Sequence, residues 1–458
     1  MSNLDAVLSK IDTNLNDSVD RLFDFLRIQS ISTDPAYKKN CQQAADWLTA
    51  QLNQIGFDAK REDTPGHPMV IAKGGDGAQH YLFYGHYDVQ PVDPLSLWSS
   101  DPFDPQKENT DAGVVIRARG AADDKGQLMT FVEACRAFKE INGSLPAKLT
   151  LFFEGEEESG SPSLVPYMKE NRERLSADLA MVCDTGMWDA NTPSISTMLR
   201  GMVGGEVVIT GPDRDLHSGM YGGPARNPIR VLTKILAELH DDTGRITLPG
   251  FYDGVDPVPS DIRKQWESLN HDGIGFLKEV DLSEPAGETD FSVLEQIWAR
   301  PSCDINGING GYTGEGFKTV LPSQAMAKVS FRLVGRQNPT AIEDAFKKFV
   351  IDRLPEDCSA EFTLKNGSGA TVMPVDAPAF EKAHKALTEE WPNPAVYAGC
   401  GGSIPVVGHI KDVLDMDSLL IGFGLDDDAI HSPNEKYNLS SFHKGIRSWA
   451  RVLDALSD

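Results

Sequence analysis

Short apolar runs rich in β-forming residues recur along the first 200 residues: MVIAKG (69–74), HYLFYG (80–85), KLTLFFEG (148–155) and DLAMVCD (178–184). Between two of them lies a segment with helical periodicity, QLMTFVEACRAFKEI (127–141), closed by Asn142-Gly143. This alternation narrows the choice of fold more than any other feature. Strands separated by helices pair in the same direction, so it predicts a largely parallel sheet with helices on its faces. Ligands of such sheets bind beyond the carboxyl ends of the strands. The second run continues as GHYDVQP, and in an extended chain His86 and Asp88 project to the same side.

The texture changes near Gly201. MVGGEVVIT reads as a strand, followed by the loop GPDRDLHSGMYGGPA and a helix over Pro228–Leu239. A long stretch rich in Gly, Pro and Asp reads as irregular. Then come strands near Ile305–Tyr312 and in QAMAKVSFRLV (324–334), a helix near 340–353 and the strand SAEFTLK (359–365). The order β-α-β-β-α-β describes one α+β, ferredoxin-like unit. After Gly369 the earlier pattern returns: helix AFEKAHKALTEEW, strand DSLLIGFG and a closing helix from Ser440. A chain of 458 residues exceeds one ordinary core. The expected organisation is a discontinuous α/β catalytic domain (1–200 and 369–458) carrying an inserted α+β domain (201–368).

Several function classes fall away. Against 43 basic residues stand 68 acidic ones, a net charge of −25 that repels phosphate backbones and makes nucleic acid an unfavourable partner. The N-terminus lacks a basic start and an apolar core and reads as a helix, so no secretion signal is expected. No window approaches the length of a membrane span. The six cysteines are scattered without a CxxC pair, which suits reduced thiols and a cytoplasmic location. Neither GxxxxGK[ST] nor a strand-adjacent GxGxxG occurs.

The chemistry-bearing residues cluster at strand ends. They are GHYDVQP, RGAADDKGQL (119–128), FFEGEEESGS (152–161), MVCD (181–184) and DDDAIHSPNEKY (426–437). Each alone has an ordinary explanation: a satisfied strand-end histidine, a helix cap, a solvated acidic run, a loop. Together, two histidines and several carboxylates at the strand ends of one α/β domain form a ligand set suited to zinc. A carboxylate bridging two ions would give the co-catalytic arrangement used in aminopeptidases. The residues by themselves leave open which carboxylate bridges.

GHYDVQP, RGAADDKG, EGEEESGS, the Asp184 segment and IHSPNE occur in the order and spacing of a known family, and the chain resembles it along nearly its whole length. This is the family of co-catalytic zinc peptidases that includes carnosinases and related dipeptidases, aminoacylases, succinyl-diaminopimelate desuccinylases and carboxypeptidase G. The resemblance implies two divalent ions, zinc first, with manganese or cobalt also suited to such ligands. It implies that His86 and Asp184 hold one ion, Glu158 and His431 the other, and that Asp123 bridges them. Asp88 would orient the imidazole of His86, and Glu157 would be the general base. The inserted domain resembles the family's lid, which commonly also forms a homodimer.

The same resemblance marks candidate substrate residues. His217 in DRDLHSG matches a histidine that reaches into the neighbouring subunit's site. Arg332 in SFRLV matches a residue that binds the substrate carboxylate, and Thr319 in KTVLP is a weaker candidate of that kind. Gly402 and Ser403 in GCGGSIP border the substrate in the family, and the glycine-rich turn offers backbone N–H groups. Carnosinase-like members often carry Arg-Glu before this Gly-Gly-Ser, where this chain has Gly399-Cys400. Tyr87 and Gln90 in GHYDVQP, and WSSDPFDP (98–105), resemble dipeptidase members. The expected activity is hydrolysis of a dipeptide or short peptide with a free C-terminal carboxylate. An N-acyl-amino-acid amidohydrolase is the alternative that the Gly399-Cys400 departure keeps close.

Overall fold

The structure is a computed structural model that describes residues 3–111, 113–402 and 404–457. It divides into two compact units. The first takes the chain up to Thr197, then Met373–Ala398 and the chain from His409 on; the second takes Met198–Val372 and Gly399–Gly408.

The sheet of the first unit runs in the order Asp58–Glu62, Met69–Gly74, Lys148–Glu154, His80–His86, Leu179–Val182, Ser418–Leu420, Ser194–Leu199. Its centre is parallel, as the alternating pattern requires: His80–His86 pairs in parallel with both neighbours, and Ser418–Leu420 with Leu179–Val182. The flanks are antiparallel. Only a short connection joins Glu62 to Met69, too little chain for a crossover, so these two strands form a hairpin. The central strand is buried from Tyr81 through His86, because a parallel strand is covered on both faces and must be apolar throughout. Phe83 stacks on Phe131 of the helix Lys125–Asn142, with ring centroids 3.8 Å apart. It also meets Trp449 of the helix Leu439–Ser457 edge-on. Burying a side chain of this size contributes about 1.5–3 kcal/mol. A small sheet of Lys436–Asn438, Gly113–Arg117 and Gln106–Thr110 completes the unit.

The second unit contains a four-stranded antiparallel sheet ordered Ser302–Gly310, Gln324–Leu333, Gly201–Thr210, Ser359–Ser368. With the helices Pro228–Ala237 and Pro339–Ile351 the chain order is β-α-β-β-α-β, as the sequence pattern indicates. Both helices start the same way. Asn227 and Asn338 accept hydrogen bonds from the backbone N–H of Ile229 and Ala341, and a proline with preset φ occupies the first turn. Their apolar faces bury Leu232, Ile235, Phe346 and Phe349 against Val207, Ile209, Val329 and Phe331 of the sheet. The stretch read as irregular is more ordered than that: it holds the short helices Ser260–Ser268, Gly273–Lys278 and Val293–Trp298.

Candidate active site

Three adjacent parallel strands end side by side, and each delivers a polar side chain just past its last residues. His86 closes the strand His80–His86, and Asp88 follows two residues on. Glu157 and Glu158 sit in a 3-10 turn after Lys148–Glu154. Asp184 follows Leu179–Val182. Asp123 precedes the helix Lys125–Asn142, and His431 lies in the loop after the short helical turn Asp426–Asp428. All belong to the first unit.

Two groups of metal-ligating atoms result, each with its donors within 4.8 Å of one another: His86, Asp123 and Asp184, and Asp123, Glu158 and His431. Asp123 is common to both. Its Oδ1 lies 3.0 Å from His86 Nε2 and its Oδ2 2.9 Å from His431 Nε2. His431 Nε2 is also 3.3 Å from Glu158 Oε2, and His86 Nε2 is 4.0 Å from Asp184 Oδ2.

Asp88 is fully buried and serves two neighbours. Its Oδ1 faces His86 Nδ1 at 3.4 Å, and its two oxygens accept the backbone N–H groups of Glu157 (3.3 Å) and Glu158 (3.1 Å). Its own carbonyl also lies 3.2 Å from His86 Nδ1. Two acceptors on that side require a proton on Nδ1, and Nε2 is the ring nitrogen turned towards the acidic cluster. Gly85 is needed at this strand end because a Cβ there would come within 2.9 Å of Asp124 Oδ2, which accepts the backbone N–H of His86. Gln90 Nε2 donates to Glu158 Oε2 at 2.6 Å.

The site carries more negative charge than its own groups neutralise. Burial pushes the Asp184 carboxyl up to about 7, reinforced by Asp123. Burial raises Glu157 as well, with Glu158, Asp88 and Asp123 adding to it against the pull of His86. Burial would also raise Asp123, but the bond to His431 and the imidazole of His86 beside it outweigh that and hold the carboxyl below its ordinary value. Hydrogen bonds to Asp123 and Glu158 lift His431 to about 10. Among the candidate ligand atoms, two buried ones remain without a hydrogen bond: His86 Nε2, 3.0 Å from Asp123 Oδ1, and Glu158 Oε1. Unsatisfied ligand atoms and surplus buried carboxylates are what a pair of divalent cations would complete.

The remaining sequence candidates lie in the second unit. His217 is exposed on the short strand Leu216–His217, which pairs with Val320–Leu321, and Thr319 O accepts the N–H of Ser218. The structure therefore brings His217 and Thr319 together. His217 Nδ1 accepts the N–H of Gly219, which places its proton on Nε2. Arg332 sits on the strand Gln324–Leu333, paired with Met202 and Ser302. Near that strand end Arg200 bonds the glycine-rich turn, its N–H donating to Gly402 O and its Nε to Gly401 O. Ser403 lies outside the described residues. Two residues not singled out from sequence also shape the site, Arg119 and Glu435. Both stand inside the quoted motifs RGAADDKG and IHSPNE, which was the available signal.

The sequence profile described as "Peptidase family M20/M25/M40" matches residues 82–455. The chain is 30% identical to the Cys-Gly metallodipeptidase dug1 of Schizosaccharomyces pombe, over 99% of this chain and 98% of that one. It is 27% identical to the human Beta-Ala-His dipeptidase, over 98% of this chain and 91% of the other. Among solved structures it resembles the M20 family metallo-carboxypeptidase Sso-CP2 from Sulfolobus solfataricus. The TM-score is 0.80 at 29% identity, covering 96% of this chain and 99% of that one.

Proposed function

The chain belongs to peptidase family M20/M25/M40, and we propose that within it the protein is a dipeptidase working through a dinuclear metal centre. The observation that carries this reading is the shared carboxylate, with one oxygen of Asp123 beside each of two histidines. His86 and Asp184 would hold one ion, Glu158 and His431 the other, and Asp123 both; zinc suits the donor set. Bound there, the ions would polarise the scissile carbonyl and bring a water towards ionisation at neutral pH.

The chain's own residues do the rest. Asp88 fixes the imidazole of His86 and the backbone of Glu157 and Glu158 together, so that strand end and turn keep a constant separation. Gln90 occupies one oxygen of Glu158 and sets its rotation. Glu157 takes the proton of the attacking water and passes it to the leaving amine, and its burial moves its pKa towards the neutral range that such work needs. Arg332 would pair with the substrate carboxylate. Thr319 would be a weaker partner of the same kind, His217 would face the developing oxyanion, and Gly402 and Ser403 would border the substrate. The second unit would act as a lid, and through it two copies would pair, since His217 in this reading serves the neighbouring subunit's site. The relatives named as Cys-Gly and Beta-Ala-His dipeptidases support free dipeptides as the substrate class.

The test is hydrolysis of free dipeptides and of matched N-acetyl and N-succinyl amino acids, by metal-loaded and chelator-stripped protein, with Glu157→Ala as control. Metal-dependent cleavage of the free dipeptides, lost in the variant, is expected. Cleavage of the acylated compounds alone would place the protein among amidohydrolases and overturn the proposal.

A further inference from the structure

Glu435 is fully buried four residues beyond His431. Its carboxylate instead gathers the backbone that carries Asp123. Oε1 accepts the N–H groups of Ala122 (2.9 Å) and Asp123 (3.1 Å), while Oε2 accepts that of Gly120 (3.0 Å) and Arg119 Nη1 (2.8 Å). Arg119 Nη2 continues to the carbonyl of Pro91 at 3.0 Å, in the segment that follows His86 and Asp88. Ala118 N–H donates to Glu435 O at 3.2 Å. One buried ion pair thus ties together three segments that bear the candidate ligands: 86–91, 119–123 and 431–435.

We propose that Glu435, anchored by Arg119, is a positioning residue that fixes the bridging geometry of Asp123 relative to His431. This rests on the dinuclear reading above. A four-donor clamp leaves the backbone at Asp123 little freedom, so each carboxylate oxygen stays aimed at its own histidine. Glutamine cannot replace the carboxylate, since whichever way its amide turns, its NH2 group confronts two donors.

The experiment is titration of metal-free wild type, Glu435→Gln and Glu435→Asp with cobalt(II), following stoichiometry, affinity and the visible spectrum. A control for general destabilisation is Glu133→Gln. Glu133 is also a buried carboxylate, hydrogen-bonded to Ser18, Arg21 and Arg136, about 12 Å along the helix from Lys125. Wild type is expected to take two ions. Glu435→Gln should bind the second at least about tenfold more weakly with an altered spectrum, and Glu435→Asp should recover part of both. Glu133→Gln should melt earlier yet bind both ions as wild type does. Wild-type affinity and spectrum in Glu435→Gln, or equal weakening in Glu133→Gln, would overturn the inference. Should Glu435→Gln fail to fold, Arg119→Lys is read by the same titration, and an unchanged second ion there would overturn it equally. A wild type that binds fewer than two ions would instead sink the dinuclear reading itself.

Discussion

Replacing Asp88 by asparagine isolates what a buried carboxylate does behind a metal-ligating histidine. The side chain keeps its shape but exchanges one oxygen for an NH2 group. With NH2 at the Oδ1 position it would confront the N–H of Glu157 and the imidazole Nδ1 that lie 3.3 and 3.4 Å from that oxygen. With NH2 at the Oδ2 position it confronts only the N–H of Glu158, at 3.1 Å. The second arrangement is cheaper, yet it strands one buried N–H and costs about 1–3 kcal/mol. The imidazole also loses a charged acceptor and becomes a weaker ligand, which lowers metal affinity by about 10- to 100-fold. Urea unfolding of the metal-free protein reads the first effect, and zinc titration against a competing chelator reads the second. A stability change under about 0.5 kcal/mol, together with zinc affinity within about twofold of wild type, would refute the assignment of both tasks to Asp88.

Glu157→Gln should keep both ions and the fold but lower kcat by about 10²- to 10⁴-fold; loss of metal with loss of rate would show that Glu157 is a ligand rather than the base. Cys41, Cys135, Cys183 and Cys303 are buried, with burial pushing Cys41 and Cys303 up to about 12, while Cys358 and Cys400 are half-exposed. A thiol reagent on the native protein should therefore label only the last two, as peptide mapping would report. Burial lowers the pKa of His384, so its folded value lies below its unfolded one. Its stability contribution is then complete above the unfolded pKa and shrinks as pH falls below it. The difference in melting temperature between wild type and His384→Gln should narrow from about pH 7.5 to about pH 5.5; a constant or widening gap would contradict the sign.

The centre of the fold was legible because physics leaves it little choice. A strand covered on both faces must be continuously apolar, and Tyr81–His86 declares that in sequence, ending in the histidine that the fold places at the strand's carboxyl end. The β-α-β-β-α-β order of the second unit showed through two helices with plain amphipathic faces. The strand Gln106–Thr110 did not, because every residue of QKENT is exposed and carries no alternation. The helix Val293–Trp298 carries a short local start signal, the capping box Ser292-x-x-Glu295, inside a stretch otherwise dominated by Gly, Pro and Asp. Arg119 and Glu435 were visible as letters but not as a pair, since 316 positions separate them and three of the four donors to the Glu435 carboxylate are backbone N–H groups. Among the described residues no helix is long and apolar enough to cross a membrane.

The central claim is that two metal ions, held around Asp123, make this chain a dipeptidase. It is tested most directly by titrating zinc into the metal-free protein while measuring hydrolysis of a free dipeptide such as cysteinylglycine. Turnover absent without metal and reaching a plateau at two equivalents per chain is the predicted result. Full turnover in the chelated protein, or a plateau at one equivalent, would contradict it.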